Sequence, residues 1–209
     1  MKTKTFLLAA VMATLSAAAV TTPAQAGDTY AHPAYAAVTG LTSIPIGHAE
    51  FCQRRPADCA PHSAPREHVR LTDEKWRELQ EVNNHYNLAI TPVSDMDLYG
   101  VEEFWTYPVN GYGDCEDIAL AKRAALIERG WHPSTLLMTV VMQPHGEGHA
   151  VLMVRTDRGD LILDNQEALI NIWTETPYAF LKRQSQTHAG QWVDIHDGRP
   201  DIVTATAGH

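Results

Sequence analysis

The chain has 209 residues and a formal net charge of −9. This excess of acidic side chains argues against nucleic acid and anionic membrane surfaces as partners, because both repel a negatively charged protein. The same charge is compatible with binding of a divalent cation.

The first 26 residues have the three parts of a secretory signal peptide. Lys2 and Lys4 give a positive start, residues 6–20 are almost wholly apolar, and Ala24-Gln25-Ala26 has the pattern of a cleavage site. The apolar run is shorter than the roughly 20 residues that span a bilayer, which argues against a membrane anchor. We therefore predict cleavage after Ala26 and a periplasmic location, with secretion as the alternative. Cleavage removes 26 of 209 residues and leaves 183; because two lysines and no acids are lost, the charge falls from −9 to −11.

The mature chain divides into an arm, one domain and a short tail. Residues 27–71 are rich in Ala, Pro and His, so we predict an irregular N-terminal arm with one helical turn near Gly47–Gln53. Residues 72–203 carry the patterns of a single domain without a membrane span. Residues 204–209 are predicted to form a flexible tail.

Two cysteines in the arm are predicted to form a disulfide. Cys52 and Cys59 lie seven residues apart, and in an oxidising compartment such a pair indicates a local bridge. A zinc half-site is the competing interpretation. The spacings from Cys59 to His62 and His68 match no standard zinc pattern, so we favour the disulfide.

Two helices separated by a loop open the domain. The first is capped by Thr72 or Asp73, carries an apolar stripe, and ends near Ile90. Residues 91–114 have the composition of a loop with aromatic anchors. Residues 114–129 then predict a strong helix that ends before a glycine.

The rest of the domain is predicted to be β-structure. Residues 134–143 are a run of strand formers, and residues 149–155 and 161–164 flank a turn at Thr156–Gly159, which makes them a hairpin. Later short strands are predicted at residues 169–173, 180–184 and 191–195. A helix that carries chemistry, followed by an antiparallel sheet, is an α+β arrangement.

The third cysteine is the candidate nucleophile. An unpaired cysteine in an exported protein needs a reason, and Cys115 lies where a glycine-rich turn meets the second helix. A helix N-terminus stabilises a thiolate, and a neighbouring imidazole completes its activation. A buried structural cysteine is the alternative, but Asp114 and Glu116 on either side argue against an apolar environment. We therefore predict a cysteine hydrolase.

His149 is the predicted base among eleven histidines. It opens a predicted strand after a glycine that leaves room around it. His132 and His145 are the competing candidates, but His145 lies in a turn and is expected to face solvent. A histidine at a strand start is also compatible with a simple edge position, so the residues alone leave this assignment open.

Asp164 is the predicted partner of that base. If Thr156–Gly159 form the hairpin loop, Arg155 pairs with Asp160. Asp164 then lies diagonal to His149 on the same face, where it can fix the imidazole tautomer. A two-residue turn would break this relation.

The acidic neighbours of Cys115 need their own explanation. Two carboxylates beside a thiol raise its pKa, which opposes activation. A calcium ion held by Asp114 and Glu116 would remove this effect. The alternative is a first helical turn enriched in acids because of the helix dipole, which needs no metal. On the residues alone both interpretations stand.

Four short motifs stand out together in the chain. They are Trp105-x-x-Pro108, Gly113-Asp114-Cys115-Glu116-Asp117 with Ala119 and Lys122, Gly148-His149-Ala150-Val151-Leu152, and Leu163-Asp164-Asn165, with Asn83 and Asn87 on the preceding helix. This set resembles the bacterial transglutaminase-like cysteine proteinases, the family that includes periplasmic adhesin-cleaving proteases. The resemblance covers about Trp76 to Trp192, and its central motifs are quite specific.

This resemblance implies a papain-like, transglutaminase-type core with a Cys-His-Asp triad at Cys115, His149 and Asp164. It also implies calcium bound through Asp114 and Glu116. Studied members of the family release a large surface adhesin and so control biofilm attachment. An inner-membrane receptor that senses cyclic di-GMP restrains them, so the implied partners are a protein substrate and such a receptor.

Two other functions are compatible with these residues. The same triad can pass its acyl group to an amine, which would make the protein a transglutaminase that crosslinks proteins. A non-catalytic binding module with the same fold is the alternative from another class, and the intact set of Cys, His and Asp argues against it. The Cys52/Cys59 pair has no obvious place in the family's description and indicates a subgroup with another substrate.

Overall fold

A seven-stranded antiparallel sheet organises the fold in this computed structural model, which describes residues 34–198. The predicted signal peptide and tail lie outside the described residues. The strands are β1 (Ala37–Thr42), β2 (Thr91–Pro92), β3 (Tyr112–Gly113), β4 (Leu136–Met142), β5 (Gly148–Thr156), β6 (Gly159–Leu163), β7 (Asn171–Ile172), β8 (Ala179–Gln184) and β9 (Trp192–His196). Seven of them follow the order β1-β9-β8-β4-β5-β6-β7, and β2 and β3 form a separate parallel pair.

Within residues 34–198, four α-helices accompany the sheet: α1 (Ile46–Arg54), α2 (Asp73–Ala89), α3 (Asp95–Tyr99) and α4 (Cys115–Glu128). Each of the two long helices, α2 and α4, has the helix-end signal that the sequence predicted for it. The Thr72 side chain caps α2 by accepting a hydrogen bond from the N–H of Lys75, and Gly130 follows α4 with a φ of +85°. The α+β prediction is confirmed. Among residues 34–198, no helix is long and apolar enough to cross a membrane.

The central strands are covered on both faces, which explains why β4 lacks the alternation of a half-exposed strand. One set of side chains packs with α2 and α4, and the other with the segment before and within β8. The first set includes Leu79, Val82, Leu120, Leu126, Leu136, Met138, Leu152 and Val154. The second includes Leu137, Val141, Val151, Met153, Ile162, Trp173 and Phe180. This packing presses α4 against β5 and so brings the two central motifs together.

Strand β1 is the main difference from the predicted irregular arm. Residues 37–42 pair with β9 at the edge of the sheet, and the arm's predicted helical turn is the full helix α1. Five of the six β1 residues are exposed, so the strand shows no alternation of buried and exposed side chains. Its pairing depends on backbone hydrogen bonds, which a hydrophobic pattern does not report.

The β5–β6 hairpin has the predicted register but a shorter turn. Arg155 pairs with Asp160 as predicted, and Thr156 pairs with Gly159, so only Asp157 and Arg158 form the turn. We expected a two-residue turn to move Asp164 from its position diagonal to His149, and this expectation was therefore wrong. The extra pair extends the same ladder without shifting its register.

Candidate active site

Cys115 is the first residue of α4, where the helix begins against β5. Gly113 precedes it at a point that leaves no room for a side chain, because a Cβ there would lie 2.9 Å from the Oδ2 atom of Asp117. Asp117 is fully buried and accepts a hydrogen bond from the N–H of Thr106. The glycine turn and this carboxyl group together place the thiol at the helix N-terminus.

The thiol is held in its protonated form by its own neighbours. Burial raises the pKa of Cys115 well above its ordinary value, and the charge of Glu116 raises it further. The sulfur donates a hydrogen bond to Oε2 of Glu116 at 3.0 Å. The backbone N–H of Ala150 opposes the shift by favouring the thiolate. The arrangement therefore needs a change at Glu116 before the thiol becomes a good nucleophile.

His149 and Asp164 are paired in the interior. Nε2 of His149 lies 2.9 Å from Oδ1 of Asp164, and both residues are at least 96% buried. This bond leaves Nδ1 as the imidazole nitrogen available for a thiol. Cys115 and His149 both line one cavity of about 440 Å³. The structure thus brings the three predicted residues to one site, while their catalytic roles stay a prediction.

Three further groups hold Asp164 in place. Tyr178 donates its hydroxyl to Oδ2, the N–H of Gln166 donates to Oδ1, and the Asn87 side chain donates to the Asp164 carbonyl at 2.8 Å. Burial alone would raise the pKa of Asp164, but the hydrogen bonds from His149, Tyr178 and Gln166 together hold it below its ordinary value. The carboxylate is therefore charged and oriented before any substrate binds.

Lys122 and Asn83 support the loop that follows Asp164. Nζ of Lys122 donates to the Asn83 side chain at 2.8 Å, and Asn83 donates to the carbonyl of Ala168. Both side chains are almost completely buried. Burial lowers the pKa of Lys122 to about 7, although the charge of Asp164 opposes this shift. These motif residues fix the chain around the triad.

Three carboxylates form a second feature beside the thiol. Asp95, Asp114 and Glu116 bring oxygen atoms within 4.8 Å of one another. Among the described residues, Oδ1 of Asp95 and Oδ1 of Asp114 are buried without a hydrogen-bond donor. Burial and then the charge of Asp95 raise the pKa of Asp114 to about 6, and burial and then Asp114 raise that of Glu116 to about 9. Crowded, unsatisfied carboxylates of this kind fit a hard cation with oxygen ligands.

Asp95 and Tyr178 are the two site residues that sequence reasoning missed. Asp95 begins α3, a five-residue helix capped by Ser94 inside the segment predicted to be a loop. Such a helix is too short for a periodic signal, although Ser94-Asp95 is a recognisable cap. Tyr178 lies between a 3-10 turn and β8, and no local spacing relates it to Asp164.

The predicted disulfide between Cys52 and Cys59 is confirmed, and it replaces the zinc interpretation. It lies next to the wall of the active-site cavity. Residues 45 and 46, at the start of α1, line that cavity together with Trp105. Gly47 packs so closely on Trp105 that a Cβ would lie 2.3 Å from the indole. The arm is thus part of the site rather than an appendage.

Comparison with known proteins identifies the family. The family model described as bacterial transglutaminase-like cysteine proteinase matches residues 38–200. The chain belongs to this family. It is therefore a transglutaminase-like cysteine proteinase.

Solved structures of Legionella pneumophila LapG resemble this proteinase. One is 25% identical over 56% of this chain and 66% of that chain, with a TM-score of 0.49, so this proteinase spans just under two thirds of its length. The calcium-bound form of LapG is 23% identical over 64% of this chain and 75% of that chain, with a TM-score of 0.50, and it shares the fold. No curated protein sequence matches the chain.

Proposed function

We propose that this proteinase is a periplasmic endopeptidase that cleaves its protein substrate with Cys115, His149 and Asp164. The observation that carries the proposal is the buried His149–Asp164 pair, whose histidine lines one cavity with a cysteine at a helix N-terminus. Export through the N-terminal segment is part of the proposal and rests on its signal-peptide pattern. Release of a surface adhesin is also part of the proposal, and it rests on the family resemblance. Restraint by an inner-membrane receptor of cyclic di-GMP rests on the same resemblance.

The mechanism follows from the orientation of His149. With Nε2 bonded to Asp164, Nδ1 accepts the thiol proton of Cys115, and the thiolate attacks the scissile carbonyl carbon. Backbone N–H groups at the start of α4 are placed to stabilise the oxyanion. His149 then protonates the leaving amine, which departs as a thioester forms. Water, deprotonated by His149, hydrolyses the thioester and restores the thiol.

We further propose that Asp95, Asp114 and Glu116 hold a calcium ion. The orphaned buried oxygens of Asp95 and Asp114 support this assignment, since calcium prefers carboxylate ligands. A bound calcium ion would neutralise the carboxylates beside Cys115 and lower the pKa of its thiol. The calcium-bound form of LapG lends support as a structure of the same fold.

Peptide-library cleavage tests hydrolysis against acyl transfer. We expect the mature protein to cut peptides and release free carboxyl termini, because the family to which it belongs is one of proteinases. Mass spectrometry of products formed with and without a primary amine would measure this. Amine adducts without cleavage would replace the endopeptidase with a transglutaminase. If neither cleaved peptides nor amine adducts form although the Cys115 thiol is intact, the result would favour a non-catalytic binding module.

Removal of calcium with EGTA is expected to suppress cleavage, and calcium binding is expected to depend on Asp95. Asp95→Asn should weaken calcium binding roughly tenfold or more, because it removes one of three ligand charges. Calorimetry and the calcium-induced rise in melting temperature measure binding without reference to activity. Asp97→Asn, on the exposed face of the same short helix, is the matched control and should bind normally. Full activity in EGTA would remove calcium from the mechanism.

A further inference from the structure

A small cavity lies behind α4, on the part of the helix remote from the thiol. Arg123, His62 and Asp58 line it, and its volume is about 230 Å³. Arg123 follows Cys115 by eight residues, which places it roughly 12 Å along the helix axis. One wall is the segment that leaves the disulfide at Cys59. The disulfide-bearing arm, which the proteinase mechanism does not explain, therefore builds this cavity.

The guanidinium of Arg123 is the main feature of the cavity. The residue is only 5% exposed, and its Nε donates to the carbonyl of Leu136 at 3.0 Å. Within the described part of the chain, Nη1 and Nη2 have no hydrogen-bond acceptor. Burial lowers the pKa of Arg123, while Tyr107 and Asp58 oppose the shift. A buried guanidinium whose outer fork lacks acceptors is costly unless an anion or ordered water occupies the cavity.

Three histidines, His62, His132 and His188, lie close to one another beside this cavity. The ring of His62 lies 6.4 Å from that of His132, and both are half-buried. Burial, and then the charges of Arg123, His132 and His188, lower the pKa of His62 to about 4, so its ring is a neutral hydrogen-bonding group. Nδ1 of His132 lies 2.7 Å from the hydroxyl of Ser134, which holds that ring in place.

Asp58 is the one acid that lines the cavity, and it is engaged elsewhere. Its carboxylate lies 3.9 Å from Arg55 and interacts with the hydroxyl of Tyr107. It forms no ion pair with Arg123 within 4.0 Å. The Arg123 fork is therefore left without a carboxylate partner and is open to an anion in the cavity, although the protein as a whole is acidic and would repel one.

We propose that this cavity binds a small tetrahedral oxyanion, inorganic phosphate or sulfate, through Nη1 and Nη2 of Arg123. The planar fork matches two oxygens of such an ion, and His62, which lines the cavity, offers a further ring N–H donor. The volume is below the roughly 300 Å³ at which pockets for drug-sized ligands begin, which favours a free ion over a phosphate ester. The bound ion would tie the segment after Cys59 to α4.

Titration of the mature protein with inorganic phosphate tests the proposal. We expect saturable binding of one phosphate per chain by calorimetry at constant ionic strength, and a rise of a few degrees in melting temperature. Sulfate should compete, while acetate and O-phosphoserine should bind more weakly. Arg123→Lys should weaken phosphate binding at least tenfold, because it removes the fork. Arg129→Gln, an exposed arginine position at the end of the same helix, is the matched control and should bind normally.

Two further measurements keep the outcome decisive. If Arg123→Lys fails to fold, His62→Gln alters a half-buried wall residue outside the helices and should weaken binding several-fold. Cys115→Ala should bind phosphate like the unmodified protein, so binding and proteolysis are judged separately. Absence of saturable phosphate binding, equal binding by Arg123→Lys, or a melting shift reproduced by chloride would overturn the proposal. Tighter binding of O-phosphoserine than of phosphate would overturn the choice of a free ion.

Discussion

Cys115→Ala is expected to reduce peptide cleavage by about 10³-fold or more, because the mechanism has no other nucleophile. The change should leave the melting temperature within a few degrees. Cys115 is partly accessible at the start of α4, and alanine retains its Cβ and favours the helix. Initial rates on a cleaved peptide, measured with thermal unfolding of both proteins, give the result.

Thiol labelling supplies the control for this prediction. Cys52 and Cys59 are bonded to each other, so an alkylating reagent should modify one thiol per folded chain and none in Cys115→Ala. Loss of activity should follow this modification with the same rate constant. Undiminished cleavage by the alanine variant would show that the cysteine is structural. Labelling of a second thiol would show that the disulfide is open.

The parts of the site that the sequence predicted are those encoded by contiguous residues. The helix start at Cys115 follows from a glycine turn and a run of helix formers, and β5 follows from uninterrupted strand formers after Gly148. The pairing of Arg155 with Asp160 then carries the register as far as Asp164. Local chemistry therefore predicts the positions of the triad, because each member lies at the end of a strong element.

The residues that were missed reach the site through the tertiary fold. Asp95 joins Asp114 only because α3 folds back beside the start of α4, and neither residue's neighbours report that approach. Tyr178 meets Asp164 because the chain before β8 covers the face of the sheet opposite the helices. Strand β1 is held at the edge of the sheet by backbone hydrogen bonds to β9. Long-range contacts of these three kinds leave no periodic trace in a single sequence.

The disulfide-bearing arm links the active-site cavity to the cavity that holds Arg123. Residues 45 and 46 line the active-site cavity, and residues 57–62 line the cavity that holds Arg123. The bond between Cys52 and Cys59 ties these two stretches together within one short loop. The occupancy of the cavity that holds Arg123 and the position of the active-site wall therefore depend on the same segment of the arm.

Asp164→Ala is expected to lower kcat by about 10³–10⁴-fold, because His149 would lose the group that orients it. Asp164→Asn should cost much less, on the order of 10–100-fold, and the surrounding donors explain the difference. The N–H of Gln166 points at Oδ1 and selects the amide oxygen for that position, so Nε2 of His149 can still donate to it. The amide nitrogen would then face the hydroxyl of Tyr178, which can turn to accept.

Tyr178→Phe tests whether the hydroxyl orients residue 164. Alone it should lower kcat several-fold with little change in KM, because the phenyl ring stays against His149. Combined with Asp164→Asn it should do more than the product of the two single effects, since the amide then loses the partner that fixes its orientation. Steady-state kinetics on the four proteins measures this coupling. Strict additivity, or an asparagine variant as inactive as the alanine one, would show that Tyr178 and Gln166 do not select the imidazole tautomer.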